Sequence, residues 1–226
     1  MVYPPQFWKR DANERRLRLL RGITARLLAK QRGDWRWVVM LHREDPLAVE
    51  RVRAVRGADP RAVVLYFNGA VPTDRQAFLR AIAHQGWRGA CAAGKGPVLT
   101  TRVDDDDGFA PDALPRLRAA VVRAGFQRRR AWLFPHGYRV WKGRSTFVRH
   151  VTNAWSSVLS PAGDPFVIFE TNHNRIADVA PVSFVDERPG WLWVRHPDTI
   201  SGGRTADVPI SAALRSLFPI DWKLVG

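Results

Sequence analysis

Cysteine and long apolar runs are scarce in this chain of 226 residues, and each scarcity excludes a class of protein. The single cysteine, Cys91, cannot form an internal disulfide or a zinc site built from several cysteines, and it fits a reducing compartment. No apolar run approaches the roughly 20 residues of a membrane-spanning helix, and the first five residues do not resemble a signal peptide. These absences predict a cytoplasmic protein without a transmembrane segment.

Acidic residues are also scarce: 21 Asp and Glu stand against 36 Lys and Arg, giving a formal net charge of +15. Such an excess attracts partners that carry phosphate, namely nucleic acid, an anionic membrane surface or a nucleotide-linked substrate. The basic residues are scattered along the chain, so charge alone does not choose between these partners. Hydrophobic residues make up 46% of the chain, which is enough for a folded core.

The first half of the chain alternates between helical and extended apolar patterns. Such alternation favours an α/β fold with a mostly parallel central sheet flanked by helices. The predicted helices cover 13–30, 47–56, 73–84 and 111–124, and the predicted strands cover 35–41, 62–67 and 98–103.

The second half has shorter segments that are richer in aromatic residues, joined by loops rich in Gly, Pro, Asn and Ser. We expect strands there, some of them antiparallel, within a loop-rich C-terminal part. One domain is expected over residues 1–226, with its two halves meeting at 127–128. The predicted strands of the second half cover 131–134, 138–141, 166–169 and 191–194.

Four consecutive aspartates, Asp104 to Asp107, directly follow the third predicted strand. Adjacent carboxylates repel one another, so a buried run of them needs a compensating cation. Ligands of open α/β sheets bind beyond the carboxyl ends of the strands, and Mg²⁺ or Mn²⁺ bridges carboxylates to phosphates. The alternative is a solvated turn that caps the next helix. The run predicts a metal site for the diphosphate of an activated substrate.

The sequence TTRVDDDD at 100–107 resembles the signature of a rhamnosyltransferase family, within the GT-A type of nucleotide-sugar glycosyltransferases. Those enzymes carry a DxD motif at the end of a central strand. The resemblance extends over most of the chain, from the helix at 17–30 to residues 190–196. It implies a GT-A-like fold, a Mn²⁺ or Mg²⁺ cofactor, a nucleotide-sugar donor and a saccharide or glycan acceptor, as in polysaccharide biosynthesis. The first half would hold the nucleotide-sugar and the metal, and the second half the acceptor.

The resemblance also implies roles for individual residues. Asp104 and Asp106 would form the DxD pair, with Asp106 as the direct metal ligand and Asp104 nearer the ribose or a metal-bound water. His196 stands where many GT-A enzymes supply a histidine to the same metal. Asp105 and Asp107 would support the site or contact the donor.

Further candidates follow from the chemistry of sugar transfer. Inverting transfer needs a base that deprotonates the acceptor hydroxyl, and Glu170 is the first candidate, with Asp186 and Glu187 as alternatives. Arg102, two positions before the acids, could reach the diphosphate or form a structural salt bridge. His173 could bind acceptor hydroxyls or belong to an ordinary turn.

Two other functions remain open. The positive charge permits a nucleic-acid-binding protein or a metal nuclease, and a GT-A-like chain could also be a non-catalytic interaction module. A GT-A domain begins with a nucleotide-binding strand, and only residues 1–10 precede the first helix. We therefore expect either that this strand is missing or that the chain as given starts late.

Overall fold

The computed structural model describes residues 10–67, 84, 97–126, 130–151, 155–160, 168, 171–197 and 207–225. Several sequence predictions fall elsewhere. The helix at 73–84 lies outside the described residues except for His84, and the strand at 166–169 does so except for Ile168. Glu170 and Cys91 also lie outside them. In the described ranges, no helix combines the length and the apolar character needed to cross a membrane.

The first helix contains a π-helical turn in its middle. Its successive parts are α1 (Arg10–Leu19), the π-helical turn (Leu20–Thr24) and α2 (Ala25–Leu28). The leucine and isoleucine side chains that predicted this helix are buried, which confirms the prediction. The π-helical turn was not predicted. Within it the carbonyl of Gly22 accepts a hydrogen bond from the backbone N–H of Asp221 at 2.9 Å, a partner far along the chain.

Four further α-helices lie in the described part of the chain, and the sequence predicted the first two of them, at 47–56 and 111–124. They are α3 (Ala48–Ala58), α4 (Ala113–Arg123), α5 (Ile176–Val179) and α6 (Ala212–Leu217). The strands are β1 (Val38–His42), β2 (Val63–Phe67), β3 (Val98–Thr101), β4 (Gly108–Phe109), β5 (Arg130–Leu133), β6 (His136–Trp141), β7 (Arg144–Arg149), β8 (Ser157–Ser160), β9 (Val182–Phe184), β10 (Trp191–Val194) and β11 (Val208–Pro209).

The described strands form three sheets. Strands β1 and β2 pair in parallel, while the larger sheets have the orders β3-β8-β5-β9 and β11-β7-β6-β10-β4. Three strand pairs are parallel and five are antiparallel. The fold is therefore mixed α/β, and the prediction of a mostly parallel sheet is corrected.

Two features account for this difference. The hairpin β6–β7 turns at Lys142 and Gly143, whose φ angles of 47° and 71° suit the tight turns that join antiparallel strands. In addition, β3 pairs antiparallel with β8 from the second half of the chain. A helix-strand alternation in sequence says nothing about such a long-range partner. Strand β3 is half-buried along its length.

One cluster of buried side chains joins the first helix, α4 and the sheet that contains β10. Near its centre, Trp191 of β10 stacks on Trp155 with a centroid distance of 4.6 Å, and its indole N–H donates to the carbonyl of Phe134 at 2.9 Å. The segment between β3 and β4 lies between the first helix and β10, because its Asp107 accepts hydrogen bonds from Thr24 of the helix and from Val194 of the strand. The four aspartates occupy that segment.

Candidate functional site: a buried acidic loop

The acidic loop, residues 104–107, is largely buried. Asp105, Asp106 and Asp107 expose only 1%, 8% and 3% of their surface. The side chain of Asp104 is 40% exposed. Burial of three adjacent acids excludes the solvated turn as a description of this loop. Each buried carboxyl group must instead find a partner inside the protein.

Asp105 is paired with a cation from the first helix. The Nε of Arg16 donates to Asp105 Oδ2 at 2.9 Å, and a second guanidinium nitrogen donates to Oδ1. The Arg16 side chain is 14% exposed. This bidentate ion pair uses both carboxylate oxygens of Asp105 and compensates one negative charge of the loop.

Asp106 contacts His196, which follows β10 along the chain. The distance between His196 Nε2 and Asp106 Oδ2 is 2.7 Å, and both side chains are buried. Burial raises the pKa of Asp106, although the hydrogen bond from His196 acts in the opposite direction. The two residues that were assigned to one metal thus lie in direct contact.

Asp107 anchors the loop to its surroundings. Its Oδ1 accepts a hydrogen bond from the backbone N–H of Val194 at 2.9 Å, and its carbonyl accepts one from the hydroxyl of Thr24 at 2.6 Å. Burial, followed by the charges of Asp106 and Asp104, raises the pKa of Asp107 well above its usual range. These effects favour the protonated form of Asp107, which lowers the repulsion inside the loop.

Asp104 is the most accessible of the four acids and forms an ion pair with Arg102. The Arg102 guanidinium lies 3.1 Å from Asp104 Oδ2 and 3.2 Å from Oδ1. Burial acts to raise the pKa of Asp104, but nearby positive charge, foremost that of Arg102, and the hydrogen bonds from Arg102 outweigh this, so the pKa is lowered. Arg102 therefore forms the salt bridge that was one of its two predicted roles, beside the exposed edge of the loop.

The donor atoms of the loop partly match a divalent metal. Among the described residues, no three acidic, histidine or cysteine side chains already converge as a metal-binding group. Asp106 and His196 offer a carboxylate oxygen and an imidazole nitrogen, a donor set that suits Mn²⁺ better than Mg²⁺. Asp104 is two residues away but is turned towards Arg102. The pair therefore supplies two donors of the kind that bind such a metal, and Asp104 would add a third only by leaving its arginine.

Asp186 and Glu187, two of the predicted bases, lie in the connection between β9 and β10. Each oxygen of Asp186 accepts a hydrogen bond of 3.0 Å from Arg116 of α4. Glu187 is 75% exposed and lies 3.2 Å from His136 Nδ1. The contacts of Asp186 tie this connection to α4.

His173 begins a 3₁₀ turn (His173–Arg175) and lies within electrostatic reach of the loop. Burial first, and then the charge of Arg102, lower the pKa of His173 to about 4, while Asp104 opposes the shift. Its Nδ1 is buried and makes no hydrogen bond within the described part of the chain. The ring is therefore neutral near pH 7, and it interacts electrostatically with Arg102 and Asp104 at the acidic loop.

Sequence reasoning missed Arg16 and Thr24. Arg16 is one of many arginines in the chain, and a lone threonine in an apolar helix carries no motif. Their contacts arise only because the first helix packs against a loop more than 80 residues away in sequence.

The protein is thus a mixed α/β protein with a buried acidic loop that is held by contacts with the first helix and with β10. A family model described as "Putative rhamnosyl transferase" matches residues 7–206. The chain belongs to this family. Neither the curated proteins nor the solved structures contain a match to the chain. Family membership points to glycosyltransferase activity, and thus to a nucleotide-sugar donor and an acceptor.

Proposed function

We propose that this protein is a metal-dependent GT-A-type glycosyltransferase that moves a sugar from a nucleotide-diphosphate donor to a saccharide acceptor. The observation that carries the proposal is the buried contact of Asp106 with His196, on a loop whose Asp104 reaches the surface. A carboxylate and an imidazole at this distance can exchange their mutual hydrogen bond for a shared divalent ion. Family membership supports sugar transfer as the reaction.

In this proposal Asp106 and His196 hold Mn²⁺, with Asp104 facing the donor. When bound, the ion would stabilise the negative charge of the departing nucleoside diphosphate. Arg102 lies beside Asp104 and is 19% exposed, so its guanidinium can donate to a diphosphate oxygen at the same edge. Asp105 keeps both oxygens on Arg16 and contributes through the position of the loop.

The acceptor hydroxyl needs a base. Glu170 remains the first proposal, because it follows the predicted strand at 166–169 on the acceptor side. Asp186 is the second, and its two hydrogen bonds to Arg116 count against it, since both oxygens are already occupied. In this proposal neutral His173, which interacts electrostatically with Arg102 and Asp104, accepts a hydrogen bond from an acceptor hydroxyl.

Thermal unfolding with Mn²⁺ and a panel of nucleoside diphosphates tests the proposal. A ligand at about 100 times its Kd stabilises the folded protein by about 2.7 kcal/mol. For a chain of this size each kcal/mol raises Tm by about 2–4 °C, so the expected rise is about 5–11 °C. Asp106→Asn should abolish the rise, while Asp178→Asn, which makes the same change at a 54% exposed carboxylate, should preserve it. If no nucleotide with Mn²⁺ stabilises the unaltered protein, the proposed function is wrong.

A further inference from the structure

Two side chains of the first helix hold the acidic loop on either side of Asp106. Arg16, in α1, binds both oxygens of Asp105. Thr24, in the π-helical turn, donates through its hydroxyl to the carbonyl of Asp107 at 2.6 Å and lies 3.4 Å from that of Asp104. Thr24 has no exposed surface. The helix therefore binds the loop at two points, the side chain of Asp105 and the backbone carbonyl of Asp107.

The π-helical turn sets the angle around the helix axis between Arg16 and Thr24. In a regular α-helix, residues eight apart differ by roughly 80° around the axis, so Arg16 and Thr24 would point in different directions. The turn adds one residue, as shown by the hydrogen bond from the backbone N–H of Ala25 to the carbonyl of Leu20. Arg16 and Thr24 are then spaced like i and i+7, with a difference of roughly 20°. Both consequently face the loop.

The opposite side of the loop is held by β10 and by His196, two residues after the end of that strand. The N–H of Val194 binds the carboxyl group of Asp107, and His196 binds that of Asp106. A shift of the loop away from the helix would change the distance between Asp106 and His196. Some side chains orient a metal-binding residue without touching the metal. Their removal typically weakens metal affinity by about 10–100-fold.

We propose that Arg16 and Thr24 are positioning residues for the sugar-transfer site, aligned by the π-helical turn so that Asp106 meets His196. The inference rests on the proposed function for its consequence, a loss of metal and nucleotide affinity. It also assigns Asp105 to positioning rather than to donor contact, because Arg16 occupies both of its oxygens.

The test compares matched substitutions in the first helix. Arg16→Gln and Thr24→Val should each weaken binding of Mn²⁺, measured by calorimetry with and without the most stabilising nucleoside diphosphate, by about 10-fold or more. Thr24→Ser keeps the hydroxyl and should bind within about twofold of the unaltered protein. Arg18→Gln removes the same charge as Arg16→Gln from an exposed position of α1 and should also leave binding unchanged.

A double variant separates positioning from direct contact. If Asp105 acts only through Arg16, then Asp105→Asn combined with Arg16→Gln should bind Mn²⁺ no more weakly than either single variant. If Asp105 contacts the donor, the losses in nucleotide affinity should add. Additive losses, or unchanged Mn²⁺ affinity in both Arg16→Gln and Thr24→Val, would overturn the inference.

Hydrogen exchange provides a readout that needs no ligand. Amides of the acidic loop and of Val194 should exchange faster in Arg16→Gln and Thr24→Val than in Arg18→Gln, because the loop is less firmly held. Unchanged exchange in both variants refutes the positioning role even if the protein binds no metal. Faster exchange in a protein that binds no metal would instead refute the proposed function alone.

Discussion

Replacing Gly108 with alanine should destabilise the protein and disturb the acidic loop at the same time. Gly108 opens β4 directly after Asp107 and lies against Leu27, which is fully buried in α2. A Cβ at this position would lie 3.3 Å from both Cβ and Cγ of Leu27 and much closer to its Cδ1. Carbon atoms pack best at about 3.5–4.0 Å, so either the leucine or the loop must move.

The expected cost follows from overpacking of a dense core, about 1–3 kcal/mol. Urea unfolding should show it as a lower midpoint with an unchanged slope. Mn²⁺ affinity should also fall, because the alanine is adjacent to Asp107 and its clash with Leu27 shifts the acidic loop. Gly57→Ala is the matched control. Nothing lies within 4 Å of a Cβ added at Gly57 in α3, and alanine should stabilise this helix by about 0.5–1 kcal/mol.

A second substitution tests whether the clash itself is the cause. Leu27→Ala alone should cost about 2–5 kcal/mol because it leaves a cavity. Combined with Gly108→Ala it should cost less than the sum of the two, since the added methyl group then fills part of that cavity. Stability and Mn²⁺ affinity of Gly108→Ala equal to those of the unaltered protein would refute the reasoning.

Two further predictions concern buried polar groups. Arg51→Met should lower the free energy of unfolding in urea by about 3–5 kcal/mol, because fully buried Arg51 binds Asp45 at 2.8 Å and its loss leaves a buried carboxylate without its cation. Arg53→Met, at an exposed position of α3, should cost almost nothing. The pKa of His173 is lowered to about 4 from an ordinary 6.5, so between these values the unfolded chain binds more protons and stability should fall as the pH is lowered. We expect a loss of about 1–2 kcal/mol across that window, a figure already reduced for the water around the half-buried ring. The loss should be absent in His173→Gln, and a His173 resonance that titrates near pH 6.5 would contradict the prediction.

The amino-acid sequence determined the local elements with useful accuracy. Apolar residues at three-and-four spacing predicted the first helix, and the aromatic run at 191–194 predicted β10 at its observed bounds. These patterns depend on neighbours within a turn or a strand, where local spacing and burial agree. The acidic loop was visible for the same reason, as a run of like charges after a strand.

Partner choice was decided by the tertiary structure. Four identical aspartates receive four environments: Arg102 for Asp104, Arg16 for Asp105, His196 for Asp106, and Val194 with Thr24 around Asp107. Identical residues carry no signal about which will be exposed, paired or protonated, since these properties come from packing across long sequence separations.

The antiparallel pairing of β3 with β8 and the π-helical turn have the same origin. The first joins segments about 60 residues apart, and the second accompanies a hydrogen bond from Asp221 near the other end of the chain to the carbonyl of Gly22. Sequence patterns therefore located the first helix, several other helices and strands, and the acidic run. Only the folded chain decided which acid meets His196 and which side chains hold it there, because contacts between distant segments form through packing rather than through local preference.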